Sequence, residues 1–294
     1  MDQNPSRSKL LDTRAWEIDQ SPIDLGYHEV KNWLNLPFGW ELGPVAGVDV
    51  DTNNNIYIFH RGDKAPPLLC FDMKGTYMFS WDHISFGRPH MVLCDNNDNI
   101  WLIDDGGHII YQLSPHGEVL FTLGVKDSPG EDTLRFNQPT DLAIGLNGEL
   151  FISDGYGNKR IVKCTADGRF VKQWGRKGQA PGRFALPHAI TSDMRGRIYV
   201  ADRENWRVQI FDANGVFLDQ WTHIGRPSDL KYVETEDCFY ICDAPNHRVT
   251  KVTATGDIIG FIREPGDGIH VISVAPQGDI FVALMSGTVS RYAR

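Results

Sequence analysis

The sequence predicts an all-β fold, a six-bladed β-propeller, and three observations carry that prediction. First, six copies of one pattern follow one another at a spacing of roughly 40–50 residues, the period of a propeller blade or a solenoid turn. They open near "GPVAGVDVD" (Gly43), "GRPHMVLCD" (Gly87), "NQPTDLAIG" (Asn137), "ALPHAITSD" (Ala185), "GRPSDLKYV" (Gly225) and "DGIHVISVA" (Asp267). Second, each copy alternates apolar and polar residues with period two between turn signals, which reads as about four strands per copy. Third, the last copy is short by one strand, and a stretch near the N-terminus has the missing pattern.

Within a copy the order of elements is regular. A short apolar segment comes first and ends in a turn such as "NNDN", "LNG", "MRG" or "PQG". An alternating strand follows: "IYIF", "IWLI", "LFIS", "IYVA", "FYIC" and "IFVA". A third strand often starts at an Asn-x-Arg signal ("NKRIV", "NWRVQ", "NHRVT"), and the unit closes on a strand such as "GTYMFSW" or "GVFLDQW". Four-stranded units repeated radially are propeller blades. The sixth copy stops at "GTVSRYAR", and "GYHEVKNW" (26–33) has the fourth-strand pattern. The expected organisation is a tail or strap over 1–21 and a propeller over 22–294. Strand 26–33 would complete the last blade and remove the open sheet edges.

The bulk numbers agree with such a fold and narrow the function. A chain of 294 residues suits one propeller, 41% hydrophobic residues suffice for a core, and 29 Gly with 16 Pro imply many turns. A formal charge of −9 with no long basic run argues against a nucleic-acid or anionic-membrane surface. No apolar run is long enough to span a bilayer, and the N-terminal stretch lacks the apolar region of a secretory signal. The five cysteines, 70, 94, 164, 238 and 242, are odd in number and form no Cys-x-x-Cys pair. The expectation is buried thiols in a reducing compartment, with the cytoplasm as location.

Aligning the copies exposes one slot at the start of the innermost strand. It reads Ala46, His90, Thr140, His188, Ser228, His270. Histidine occupies the even copies and a small residue the odd ones, an alternation that chance seldom produces. Alternate blades of a six-fold ring are related by about 120°. Three imidazoles would therefore face one another across the channel, the ligand set of a catalytic zinc site with one open position. Three such ligands also suit iron, cobalt or copper. The other histidines, 28, 60, 83, 108, 116, 223 and 247, read as packing or turn residues.

The same register defines a ring of loops after the second strand, holding Arg61, Asp105, Gly155–Tyr156, Arg203 and Ala244. These loops open on the face where the inner strands begin, so Arg61 and Arg203 would sit above the histidines with Tyr156 between them. Arginine recognises carboxylates with two parallel hydrogen bonds. A tyrosine near cations is a candidate base. For Arg203 the structural alternative is an ion pair with Asp or Glu of a neighbouring blade.

The strings "IFHRGD", "FNQPTDLAI", "ISDGYGNKRIV", "QWG", "PGRFALPHAI" and "VADRENWRVQ" resemble the peptidyl-α-hydroxyglycine α-amidating lyase family over about residues 43–294, and they are more specific than a generic NHL repeat. The resemblance implies a six-bladed propeller with zinc on His90, His188 and His270. It also implies a catalytic Tyr156 with Arg61 and Arg203 on the substrate side. The implied reaction cleaves the C–N bond of an α-hydroxyglycine carbinolamide to an amide and glyoxylate, from a small or peptide-derived substrate bearing a carboxylate.

The chain also departs from the family pattern. Gly268 stands where the family has a pocket methionine, so a wider pocket is expected. Val271 replaces the aspartate that, with backbone carbonyls at Val48 and Val92, holds a structural calcium in the family. Gly157 replaces a disulfide cysteine. Two other functions stay open at this point. One is another metal-dependent lyase or hydrolase acting on a lactone, amide or ureido compound. The other is a non-catalytic NHL-type interaction scaffold.

Overall fold

The computed structural model describes residues 24–264 and 266–294. They form six four-stranded antiparallel sheets, five of them meanders in chain order from the inside outward. The inner strands are Val45–Val50, Pro89–Cys94, Asp141–Ile144, Pro187–Ser192, Pro227–Val233 and Ile269–Val274. Each packs on the inner strand of the blade before and after it, and the first meets the sixth, so the ring is closed. Second strands such as Ile100–Asp104 and Ile198–Asp202 are wholly buried, because both faces of a middle strand are covered by neighbouring blades. Outer strands such as Phe170–Trp174 alternate between half-buried and exposed. The apolar core lies between the blades, where residues such as Phe59, Phe151, Phe211 and Phe239 are fully buried.

The sixth sheet takes its outer strand from the other end of the chain. That strand is only His28–Glu29, paired with Thr288–Ala293, where 26–33 was expected. The pairing stops early because the chain turns at Asn32, which has φ +52°, and drives Trp33 into the core against Phe281. The indole Nε1 donates to the Val289 carbonyl at 2.9 Å, which fastens the closure from inside. The tail expected over 1–21 lies outside the described residues. The five cysteines are all free thiols, four of them buried.

The Asn-x-Arg signal acquires a physical meaning here. In blades three to five, an aspartate ending the second strand accepts bonds from that Asn and that Arg: Asp154 from Asn158 and Arg160, Asp202 from Asn205 and Arg207, Asp243 from Asn246 and Arg248. The residue between them is left-handed, with φ of 58° at Lys159, 55° at Trp206 and 48° at His247. The same carboxylates accept backbone N–H groups at the loop entering the inner strand, such as Asn137 on Asp154 and Ala185 on Asp202. Each aspartate thus ties both loops on one face of its blade.

Candidate metal centre and its mouth

The slot residues face the axis because the inner strands bulge there. Register shifts fall between Val45/Gly47, Pro89/Met91, Pro187/Ala189, Pro227/Asp229 and Ile269/Val271, leaving the slot residue as the extra one. A bulge re-aims its side chain and frees local backbone groups. His90, His188 and His270 are thereby brought together, with ring centroids 5.0–5.2 Å apart. Their candidate ligand atoms all lie within 4.8 Å of one another. All three are buried.

Each imidazole is oriented by the next blade. His90 Nδ1 donates to the Thr140 carbonyl at 2.7 Å, His188 Nδ1 to Ser228 at 2.6 Å, and His270 Nδ1 to Ala46 at 2.8 Å. A carbonyl can only accept, so the Nδ1 atoms carry the protons and the Nε2 atoms carry lone pairs. Burial, the first cause in each ring, drives all three well below the usual histidine range, His270 to about 3, so they are neutral at pH 7. The carbonyls just before the histidines are also held. Thr140 Oγ1 donates to Pro187 O at 2.9 Å and Ser228 Oγ to Ile269 O at 3.2 Å. In blade one, where the slot is Ala46 and has no hydroxyl, Arg61 Nε donates to Pro89 O at 2.7 Å instead.

Tyr156 lies where the loop register puts it. Its hydroxyl is 3.1 Å from His90 Nε2 and 3.0 Å from His188 Nε2. Lys159 Nζ donates to the Gly155 and Tyr156 carbonyls, which fixes the loop. The hydroxyl has one proton and therefore satisfies one Nε2 lone pair, leaving the other facing an oxygen lone pair. Such an array fits a cation at the point where the Nε2 atoms converge, and neutral, backbone-oriented imidazoles are the form in which histidine binds a metal. With protein charges alone, burial raises the Tyr156 phenol, while Arg203, Arg61 and Arg88 pull it down.

Arg203 sits with Cζ 6.0 Å from the Tyr156 ring centroid and Nε 3.1 Å from Glu204 Oε1. Glu204 is the next residue of the same loop and not an acid of a neighbouring blade, as the alternative had it; it also pairs with Arg226 of the next blade. Arg61 lies near enough to bear on His90 and His270. Gly268, expected to widen the pocket, has φ +77°, and a Cβ there would meet Met285 Cβ at 2.9 Å. Its carbonyl accepts from Met285 N–H at 2.8 Å. Met285 follows the second strand of blade six, the sixth position of the loop ring, a signal available in the register but not read. Arg88, two residues before His90, was also missed. Its Cζ is 5.4 Å from the Tyr156 centroid and its fork grips Asp105.

A separate cavity along the inner strands, with none of the three histidines in its lining, holds Asp49, Asp141, Asp229 and Lys231. Val48 and Val92 are buried there beside them, and Val271 is buried on the last inner strand. Asp49, Asp141 and Asp229 each accept a backbone N–H of the following blade, from Cys94, Ile190 and Ile272 at 2.8–2.9 Å. Lys231 Nζ pairs with Asp49 at 2.9 Å.

The NHL repeat family model matches residues 184–211. The peptidyl-glycine alpha-amidating monooxygenase A of Xenopus laevis is 32% identical over 88% of this chain and 32% of its own length. A probable peptidyl-alpha-hydroxyglycine alpha-amidating lyase of Caenorhabditis elegans is 32% identical over 63% of each. Human NHL repeat-containing protein 3 is 32% identical over 64% of this chain and 59% of its own. The chain thus spans about a third of the amidating monooxygenase and under two thirds of the other two. In fold, a solved streptogramin B lyase matches with a TM-score of 0.63 at 16% identity, over 91% of this chain and 97% of that one. The chain is a six-bladed β-propeller with an NHL-repeat match at residues 184–211, and it is similar in sequence to the peptidyl-α-hydroxyglycine α-amidating lyases and to NHL repeat-containing protein 3.

Proposed function

We propose that this protein is a metal-dependent carbon–nitrogen lyase that cleaves an α-hydroxyglycine-type carbinolamide to an amide and glyoxylate, with zinc on His90, His188 and His270. The observation that carries the metal is the donor set: Nε2 lone pairs converging on a point where Tyr156 offers one proton. The reaction type draws its support from the relatives named as amidating lyases and from a tyrosine and guanidiniums at the mouth. Zinc would supply Lewis-acid polarisation of the substrate's hydroxyl oxygen.

The chain's own residues do the rest. Arg61 and Arg203 bind the substrate carboxylate and aim the hydroxyl at Tyr156. The Tyr156 phenolate takes the hydroxyl proton, the O–H pair becomes the carbonyl bond, and the C–N bond breaks with its pair on nitrogen. Tyr156 then returns the proton to the leaving nitrogen, so the site ends as it began. The proposal includes no calcium. Residue 271 is a valine, and the Lys231 ammonium already supplies a positive charge to the cavity both residues line.

The test is metal content per chain in protein purified without added metal or a histidine tag, beside His188→Ala. One zinc per chain, lost in the variant, is expected, with glyoxylate released from an N-acyl-α-hydroxyglycine. Protein that takes up no metal even after zinc addition would leave the interaction-scaffold reading, to which the relation with NHL repeat-containing protein 3 lends support. Bound zinc without glyoxylate release would move the reaction to the lactone, amide or ureido class.

A further inference from the structure

The mouth contains a third guanidinium that the reaction above does not use. Arg88 is held edge-on by Asp105, Nε to Oδ1 and Nη2 to Oδ2, both at 2.6 Å. The Asp105 N–H also donates to the Arg88 carbonyl at 3.1 Å, so the two residues are fastened by main chain and side chain. Asp105 is fully buried, whereas the Arg88 side chain keeps 42% of its surface. Burying a carboxylate is costly unless it is paired, so this aspartate is committed to one guanidinium in one orientation. Among the described residues, Arg88 Nη1 has no hydrogen-bond partner. The same holds for both Nη atoms of Arg61 and of Arg203, whose Nε atoms are held by Pro89 O and Glu204 Oε1.

Three forks therefore surround Tyr156, each anchored through Nε and each with donors left for a ligand. Of these, Arg61 makes no ion pair among the described residues, and Glu204 is shared between Arg203 and Arg226. The mouth is thus positively charged in a chain of formal charge −9, which concentrates anions there. One substrate carboxylate engages two forks. The third is pre-organised and half in solvent, and a fixed guanidinium of that kind recognises a second anionic group with little ordering cost.

We propose that Arg88, fixed by Asp105, is a specificity-determining residue that binds a second carboxylate, so that the preferred ligands of this mouth are small dianions rather than substrates with an apolar amide side. In substrate terms, and resting on the lyase reading, these are α-hydroxyglycines whose nitrogen substituent carries an acidic group.

The test needs no turnover. Glutarate and butyrate, which share a three-carbon chain and differ by one carboxylate, are titrated calorimetrically into the protein as purified. Glutarate should bind about ten- to a hundredfold more tightly, the range expected of one charge-assisted contact. Arg88→Gln should bring the two affinities within about threefold of each other while leaving butyrate unchanged. If leaving Asp105 unpaired prevents folding, Arg88→Gln with Asp105→Asn removes the buried charge and carries the same expectation. Equal affinities in the unaltered protein, or equal weakening of both ligands in the variant, would overturn the inference. An Arg88-dependent preference without glyoxylate release would sink the lyase reading and keep this one; glyoxylate release without the preference would do the reverse.

Discussion

At the scale of single residues, the site depends on which atoms hold protons. Backbone carbonyls keep the protons of His90, His188 and His270 on Nδ1, and burial keeps the rings neutral, so the Nε2 atoms are available as ligands at pH 7. Among the described residues, Tyr156 is the one side chain with a hydroxyl placed between two of them. Its phenol is raised by burial, so it acts as a base only where positive charge offsets that burial. Tyr156→Phe removes the hydroxyl and little else, because the ring stays between the imidazoles and the guanidiniums. We expect kcat to fall by about 10²–10⁴, the usual contribution of a positioned acid–base group, with zinc content per chain unchanged. Full activity in that variant would remove Tyr156 from the proton path. These residues could be read from the sequence because the repeat register gave the histidines a common slot and the arginines and tyrosine a common loop. Arg88 escaped that reading because it stands two residues before the slot, outside both registers. Met285 escaped because the loop ring was not followed into the sixth blade.

At the scale of elements, blades three to five are clipped by buried aspartates, and the sequence displayed only half of each clip. The "NKRIV", "NWRVQ" and "NHRVT" strings marked where a third strand begins. Their partners, the aspartates ending the second strands, looked like ordinary strand termini because the pairing spans a turn. Arg160 shows the extent of the contact. It binds Asp154 at 2.8 Å, the Glu131 carbonyl at 3.0 Å, the Arg135 carbonyl at 2.8 Å and Gln173, and it is 1% exposed. Arg160→Ala would leave the fully buried Asp154 without its cation and two loop carbonyls without a donor. A loss of about 3–5 kcal/mol is expected, as for other buried pairs with one partner removed, measured by urea denaturation. A loss below about 1 kcal/mol would mean that the two asparagine contacts alone hold the clip. Blade six lacks this device, since Leu284 ends its second strand. That blade is closed by the N-terminal strand and by Trp33 instead.

At the scale of the whole molecule, the ring is sewn by two alternating sets of hydrogen bonds along its inner strands. Histidines of the even blades donate to carbonyls of the odd ones. Asp49, Asp141 and Asp229 of the odd blades accept N–H groups of the even ones. The histidine half was legible because one residue type repeats in one slot. The aspartate half was not, because Asp141 and Asp229 follow the slot by one residue and Asp49 by three, which breaks the register. The aspartate half makes the ring sensitive to pH. Burial raises the Asp229 carboxyl to about 7, and it raises Asp141 too, with the Asp229 charge adding to the effect. An unfolded aspartate titrates near 3.9. Between those values the folded ring holds a proton that the unfolded chain has released. The stabilisation from this group is therefore full below about 3.9 and is lost as pH rises to about 7. Asp229→Asn keeps an oxygen for the Ile272 N–H and cannot ionise. The melting temperature of the variant relative to the unaltered protein should therefore climb from pH 4 to pH 7 and level off above. Taking that difference cancels the buried histidines, which weaken the fold in the opposite direction, as pH falls below 6.5. A difference that stays flat from pH 4 to 8 would show that the Asp229 carboxyl ionises as easily in the ring as in the unfolded chain, its charge met by Lys231 and the backbone N–H groups around it.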